Sequence, residues 1–306
     1  MLVLGNKYKF TTLEKERLRK KNLKIHTITN INKDPQTLLQ EIKEHLYFQH
    51  VSVIVVNTYE TLDHTIIKYF TNLQFEKKTT VMTTERFMEK FLKKCYIPHN
   101  PKDLHYLDNI KPFSTWQYLQ KRTIDYLGVF SILLLTFPIL LYSRKRIKKE
   151  SPGSSMFKQT RVGLYEKKFK CYKFRSMHLD SYHQPYTSKD DNRVFYWGKV
   201  MRKTRIDEIP QLLNVLKGDM HLIGPRAEWD ILVKNYEQEI PYYNERHIVR
   251  PGITGWAQVM FPYGGNVNDA KQKLMYDLYY IKHWSILLEL KVTWKTILVI
   301  LGKKGI

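Results

Sequence analysis

Two adjacent carboxylates, Asp207 and Glu208, lie within RKTRIDEIPQLLNVLKGDMHLIGPRAE, residues 202–228, with Arg202, Arg205 and Arg226 around them. The stretch reads as a helix start. Thr204 stands where a cap belongs, Asp207 falls at the third position, and Pro210 is tolerated because it lies in the first turn. A carboxylate there is held ionised by the positive helix end and by neighbouring guanidiniums. Such an Asp can be a nucleophile or a metal ligand, and arginines at that range suit phosphate oxygens. Acids in a first turn are also ordinary caps. With the arginines beside them, they point to phosphoryl chemistry.

Two further stretches bear on anions. KFKCYKFRSM, ending at Met177, alternates as a strand would and spaces Lys170, Lys173 and Arg175 for anionic groups. RPGITGWAQV, residues 250–259, makes a tight backbone turn where exposed amides and Thr254 could hold an anion. Without a ligand it is an ordinary turn.

The elements that must position these groups follow from periodicity. Residues 1–105 alternate β-rich runs (Leu2–Leu4, Leu23–Thr29, Val51–Val56, Thr79–Thr83) with helical patterns such as PQTLLQEIKEHLYF and LDHTIIKYFTNL. Strands alternating with helices predict an α/β module with a parallel sheet, Rossmann-like in outline. LVLGNKYKF carries a single glycine, so no phosphate loop accompanies it and nucleotide binding is unsupported. The stretch His99–Thr115, with Pro101 and Pro112, reads as a linker, and the domain division sets the linker at 106–117. Residues 178–197 are polar and predict loop, and Ala227–Arg246 predicts helix. From Lys271 to Ile306, Leu287, Leu290, Trp294 and Leu298 recur at helical spacing among lysines, as suits either a core helix or, beside a membrane hairpin, an interfacial one.

Ile124–Ser143 is almost wholly apolar after Asp125 and is followed at once by RKRIKK. Its length is near the ~20 residues of a spanning helix. A spanning helix, a buried core helix and a re-entrant helix all compete for it. Pro138 lies deep inside and bends the segment. Lys121 and Arg122 precede it, so positive charge flanks both ends, which favours both ends facing the cytoplasm. The chain of 306 residues has 51 Lys plus Arg against 29 Asp plus Glu, a net +22, so an anionic partner is expected. Cys95 and Cys171 have neither metal-ligand spacing nor a disulfide framework. The opening MLVLGNKYKF is too soon polar for a secretory signal.

With these motifs assembled, residues 118–306 resemble the monotopic bacterial sugar transferases, the polyprenyl-phosphate glycosyl-1-phosphate transferases. The resemblance rests on SPG and FKQTRVG at 151–163, KFRSM at 173–177, the acidic–arginine stretch at 202–220, IGPR at 223–226, RPGITGWAQV, and DLYYIKHWS at 277–285. The closing residues look like the longer, exopolysaccharide-initiating branch, here expected without its upstream spanning helices.

The resemblance implies an α+β monotopic membrane domain at 118–306, with a re-entrant helix at 124–143 kinked at Pro138 and interfacial amphipathic helices. It implies a ping-pong reaction at the cytoplasmic face of the inner membrane. Asp207 would attack a UDP-sugar and release UMP, and undecaprenyl phosphate would then accept the sugar phosphate. Glu208 would engage Mg²⁺ beside Asp207. Arg202, Arg226, Arg250, Gly252, Thr254 and Arg175 would bind phosphate. Phe137 stands where the family usually has Ser before the kink proline, and SPGSSMF departs from the family's SPGPVFF.

A hexose donor, galactose or glucose, fits the longer branch, with an N-acetylated or bacillosamine-type sugar as the alternative. The front module reads as regulatory or homodimer-supporting. An inactive membrane scaffold is the rival class, opposed by intact Asp207, Glu208, Arg202 and Arg226. A nucleic-acid partner is not expected, because many of the positive charges fall beside the apolar segment and the motifs, and no nucleic-acid-binding motif is present.

Overall fold

The computed structural model describes residues 1–77, 79–98, 110–179, 191–261 and 264–302. It divides into two compact units, Met1–Tyr96 and Ile97–Ile306. Residues 106–109 of the linker stretch and 180–190 of the polar stretch lie outside the described residues.

The first unit runs β1 (Leu2–Leu4), α1 (Thr12–Arg19), β2 (His26–Ile28), α2 (Pro35–Phe48), β3 (Val53–Val56), α3 (His64–Phe75), β4 (Thr80–Thr83) and the short α4 (Thr84–Phe87). Helix starts are written locally. Thr11 and Glu14 form a capping box on α1, Asp34 caps α2 ahead of Pro35, and Asp63 caps α3. The four strands are parallel in the order β2-β1-β3-β4. Leu2, Leu4, Ile28 and Ile54 pack with Leu38 and Ile42 of α2 and with Ile66 and Phe70 of α3. Asn57, just past β3, is buried, and its amide ties β1 to β3. It donates to the carbonyls of Gly5 and Tyr8 at 3.2 and 3.0 Å and accepts from Tyr8 N and the Thr84 hydroxyl, each at 2.9 Å.

The second unit opens on α5 (Thr115–Glu150), a helix of 36 residues started by a Ser114–Gln117 capping box. It extends well beyond the apolar stretch and stays helical through Pro138. Lys121 and Arg122 are a correction to the sequence reading, since neither is a free flanking charge. Lys121 is buried against Glu289, and Arg122 is buried on Asp125, the Val215 carbonyl and Tyr126. Both ends of α5 pack on this one unit. Val129 joins Cys171, Leu212 and Val215, while Ile147 joins Phe174, Phe195 and Met201. Between them Phe130, Leu134, Leu135 and Phe137 are exposed.

After α5, β5 (Met156–Val162) and β6 (Lys168–Phe174) pair as an antiparallel hairpin. Then come α6 (Tyr196–Thr204), a 3-10 turn at Ile206–Gln211, α7 (Leu212–Lys217), β7 (His221–Ile223) and α8 (Asp230–Glu239). A second 3-10 turn at Tyr243–Ile248 precedes β8 (Gly252–Thr254), α9 (Trp256–Met260), α10 (Val267–Lys282) and α11 (Ile286–Leu301). The helix expected over Ala227–Arg246 is thus shorter, because Ile240 is extended and Tyr242 turns left-handed. The C-terminal pattern divides into α10 and α11, the latter capped by the Ser285 hydroxyl at 3.2 Å from Leu288 N. Leu287, Leu290, Trp294, Leu298 and Leu301 of α11 are exposed. β7 and β8 pair in parallel, His221 against Gly252 and Ile223 against Thr254. A side chain at Gly252 would strike the backbone of Gly224 and Thr254, which is why glycine stands there.

Candidate active site

The site is assembled from β6, from the 3-10 turn carrying the acidic pair, and from the segment after β7. The local structure at the pair differs from the helix start expected. Thr204 is the last residue of α6, and its hydroxyl bonds back to the carbonyls of Val200 and Met201 at 2.7 and 3.3 Å. Arg205 then turns left-handed, with φ of 61°, and the 3-10 turn begins without a side-chain cap. The signal missed is Arg205, a residue type that gives no warning of a positive φ.

Asp207 and Glu208 are both buried, yet their surroundings differ. Glu208 Oε1 takes a hydrogen bond from Lys173 Nζ at 2.8 Å and lies 3.9 Å from Arg205 and 4.0 Å from Arg226. Burial raises its proton affinity, but Lys173, Arg226 and Arg205 outweigh it and bring the pKa down to about 2. Asp207 Oδ1 is buried with no hydrogen-bond partner. Its pKa rises to about 6, first through burial and then through the Glu208 charge, against weaker pulls from Lys173, Arg202 and Arg205. The sequence expectation of an Asp207 held ionised by a helix end and guanidiniums is therefore corrected: Glu208 is the strongly ionised member. The pair carries one firm charge and one adjustable charge.

Arg202 donates from Nε to the Ser176 hydroxyl at 2.9 Å, which anchors it near Asp207. Gly198 makes that anchor accessible, because a Cβ there would strike the Ser176 backbone. Arg226, Arg161, Lys173, Gln211 and Gly252 line one cleft. Sequence reasoning passed over Arg161, although it stands in FKQTRVG. It reaches the cleft through the β5–β6 pairing, donating to the Ala227 carbonyl at 3.0 Å and to Gln159 at 2.5 Å. Arg161, Lys173, Arg202, Arg205 and Arg226 outnumber the carboxylates Asp207, Glu208 and Glu228, so the site carries surplus positive charge. A diphosphate is the kind of group that would neutralise it.

The remaining expected residues sit elsewhere or act through backbone. Gly252 N donates to the Pro225 carbonyl at 2.8 Å, beside Arg226. Arg250 donates to the Gly218 carbonyl at 2.7 Å and stacks on Tyr118. Thr254 bonds Thr296 of α11 at 2.8 Å. Arg175 is buried and donates to the carbonyls of Ser151 and Pro152 at the end of α5. Pro138 lies in the exposed middle of α5.

The model of the family described as bacterial sugar transferase matches residues 116–303. A UDP-N-acetylgalactosamine-undecaprenyl-phosphate N-acetylgalactosaminephosphotransferase of Aeromonas hydrophila is 41% identical over 238 residues, covering 71% of this chain and 56% of that protein. A UDP-glucose:undecaprenyl-phosphate glucose-1-phosphate transferase of Caulobacter vibrioides is 40% identical over 183 residues, 58% of this chain and 68% of that protein. An undecaprenyl-phosphate galactose phosphotransferase of Salmonella typhimurium is 33% identical over 202 residues, 60% and 41% respectively. The matched part of the chain thus spans about half the length of the first and third relatives.

Proposed function

The chain belongs to the bacterial sugar transferase family, and from that premise we propose that it transfers a sugar 1-phosphate from a UDP-sugar to undecaprenyl phosphate. One observation carries the reading: Asp207 holds a buried, unpartnered carboxylate oxygen among Lys173, Arg202 and Arg205, beside a cleft lined by Arg161, Lys173 and Arg226. An Asp207 oxygen attacks the sugar-bearing phosphorus, the bond to the bridging oxygen breaks, and UMP leaves. A phosphate oxygen of undecaprenyl phosphate then attacks the same phosphorus. The bond to Asp207 breaks, and undecaprenyl-diphosphate-sugar departs with the carboxylate restored. Two displacements replace one difficult transfer. Arg202 and Arg226 hold phosphate oxygens, and Lys173 with Arg205 keeps Glu208 ionised beside the nucleophile.

Mg²⁺ fits the pair in a limited way. Among the described residues no three or more His, Cys, Asp or Glu converge on a metal. Magnesium commonly takes only one or two carboxylates, with water and substrate phosphates as its other ligands. The carboxylates of Asp207 and Glu208 would supply these, and the ion would neutralise charge on the transferring group. Gly252 contributes backbone beside Arg226, whereas Arg250, Thr254 and Arg175 brace the loops around the site.

Membrane attachment by a re-entrant helix is supported by the packing of α5. Its two ends rest on one unit, an arrangement that suits a helix entering and leaving a bilayer on the same side. By length and composition α5 is long and apolar enough to cross a bilayer, so the re-entrant reading rests on the packing of its two ends and not on its length. The exposed apolar stripe of α11 suits an interfacial position, with the reaction at the cytoplasmic face of the inner membrane. The first unit, Met1–Tyr96, reads as the Rossmann-like regulatory or dimer-supporting module expected over 1–105. Asn57 occupies the gap between the carboxyl ends of β1 and β3, where such folds take nucleotides.

The donor is read as UDP-glucose or UDP-galactose. An N-acetylated sugar is the second reading, favoured by the name of the Aeromonas relative. UMP release from a panel of UDP-sugars, with undecaprenyl phosphate and Mg²⁺, tests the reaction. Release with one donor, abolished by Asp207→Asn, is expected. No UMP from any donor would return the chain to the scaffold reading.

A further inference from the structure

Arg226 does not stand by its own contacts. Its backbone bridges Gly252 on one side, and its carbonyl accepts a hydrogen bond from Arg246 Nη2 at 2.9 Å. Arg246 is 4% exposed and lies in the second 3-10 turn, distant in sequence from the acidic pair. The same Nη2 lies 2.8 Å from Asp277 Oδ2 on α10, and Nη1 donates to the Tyr243 hydroxyl at 2.7 Å. Asp277 is itself 1% exposed. Glu228 interacts electrostatically with Arg226 and Arg246 alike.

A buried ion pair is a costly way to stabilise a fold, since apolar side chains of similar volume often do as well or better. This pair has a geometric use. The planar guanidinium spans a carboxylate, a phenol and the Arg226 carbonyl at once, which the point charge of a lysine cannot do. We propose that Arg246, braced by Asp277 and Tyr243, is a positioning residue that fixes Arg226 at the anion cleft opposite Glu208. The inference rests on the reading that Arg226 holds a phosphate oxygen. It makes α10 a structural support of the phosphate site.

The test is a double-mutant cycle in the full-length protein, comparing wild type, Arg226→Lys, Arg246→Lys and the double variant. The primary readout is kcat for UMP release with the donor that wild type uses. Arg226→Lys and Arg246→Lys are each expected to lower kcat by roughly 10- to 100-fold, and the double variant by no more than Arg226→Lys alone, because residues acting through one another are non-additive. A merely structural Arg246 predicts that the two losses multiply. Multiplication, or an unchanged kcat in Arg246→Lys, overturns the proposal.

If Arg246→Lys does not fold, as read by its thermal melt, Asp277→Asn takes its place in the cycle with the same two outcomes. If wild type releases no UMP, the proposed function fails, and the cycle is read instead on the Kd for inorganic pyrophosphate. Non-additive weakening there supports the positioning role. Additive weakening, or no binding by wild type, overturns it.

Discussion

Two buried charged clusters in the second unit make opposite use of burial. At the root of α5, Lys121 Nζ donates to the Ile223 carbonyl, the Tyr280 hydroxyl and Glu289 at 2.8, 2.8 and 2.9 Å, so its three protons are all used. Glu289 also accepts from Tyr280 and, at 2.8 Å, from Trp284. At the acidic pair, Asp207 Oδ1 has no partner and the surrounding cations exceed the carboxylates. A satisfied buried network fixes structure, whereas an unsatisfied one holds a group ready for something else. The first cluster joins α5 to β7, α10 and α11. The second carries the surplus positive charge that the diphosphate of the proposed donor would neutralise.

The contrast is broken most severely at Asp207. Asp207→Asn should lower UMP release by at least about a thousandfold, since Asn lacks the proposed nucleophilic carboxylate and Glu208 is held by Lys173, Arg205 and Arg226. The fold should not suffer. A carboxyl with its pKa raised to about 6 favours the protonated native state, so its contribution to stability declines as pH rises from its unfolded value of 3.8 through 6. Asn carries no such charge, and thermal melts at pH 7.5 should find the variant at least as stable as wild type, by up to about 3 kcal/mol.

Lys121→Met should do the reverse, leaving Glu289 buried and unpaired and costing about 3–5 kcal/mol in stability. Its loss of activity should follow its loss of folded protein. Arg226→Lys should be intermediate, with folding retained and turnover lowered roughly 10- to 100-fold, because a lysine cannot hold a phosphate as a guanidinium fork does. The smallest change is in pH. With UDP-sugar limiting, wild-type kcat/KM should rise about tenfold per unit below pH 6 and level off above it, as Asp207 of the free protein ionises. Glu208, whose pKa lies near 2, should add no step in that range. A profile flat from pH 5 to 8 would mean that ionisation of Asp207 does not limit the reaction.

Much of this site was legible because its signals are local. Asp207, Glu208, Arg202 and Arg226 stand in one stretch, and the parallel strands of the first unit are apolar runs bounded by capped helices. What escaped depends on pairing between distant segments. Arg161 enters the cleft only because β5 pairs with β6, and Arg246 reaches Arg226 only because the turn after α8 folds back on it. Lys121 looked like a membrane-flanking charge until α10 and α11 supplied Tyr280 and Glu289. The left-handed Arg205 displaced the expected helix start, since nothing in its side chain announces that conformation. Charge counted along a sequence cannot distinguish a lysine in solvent from one sealed in a core.

The most direct measurement is to incubate the protein with its UDP-sugar and Mg²⁺, without lipid acceptor, and map the modified residue by mass spectrometry of proteolytic peptides. A sugar phosphate is expected on the peptide bearing Asp207, absent in Asp207→Asn and discharged on adding undecaprenyl phosphate. An adduct on another residue, or turnover with acceptor present but no adduct on Asp207 at any time, would contradict that expectation.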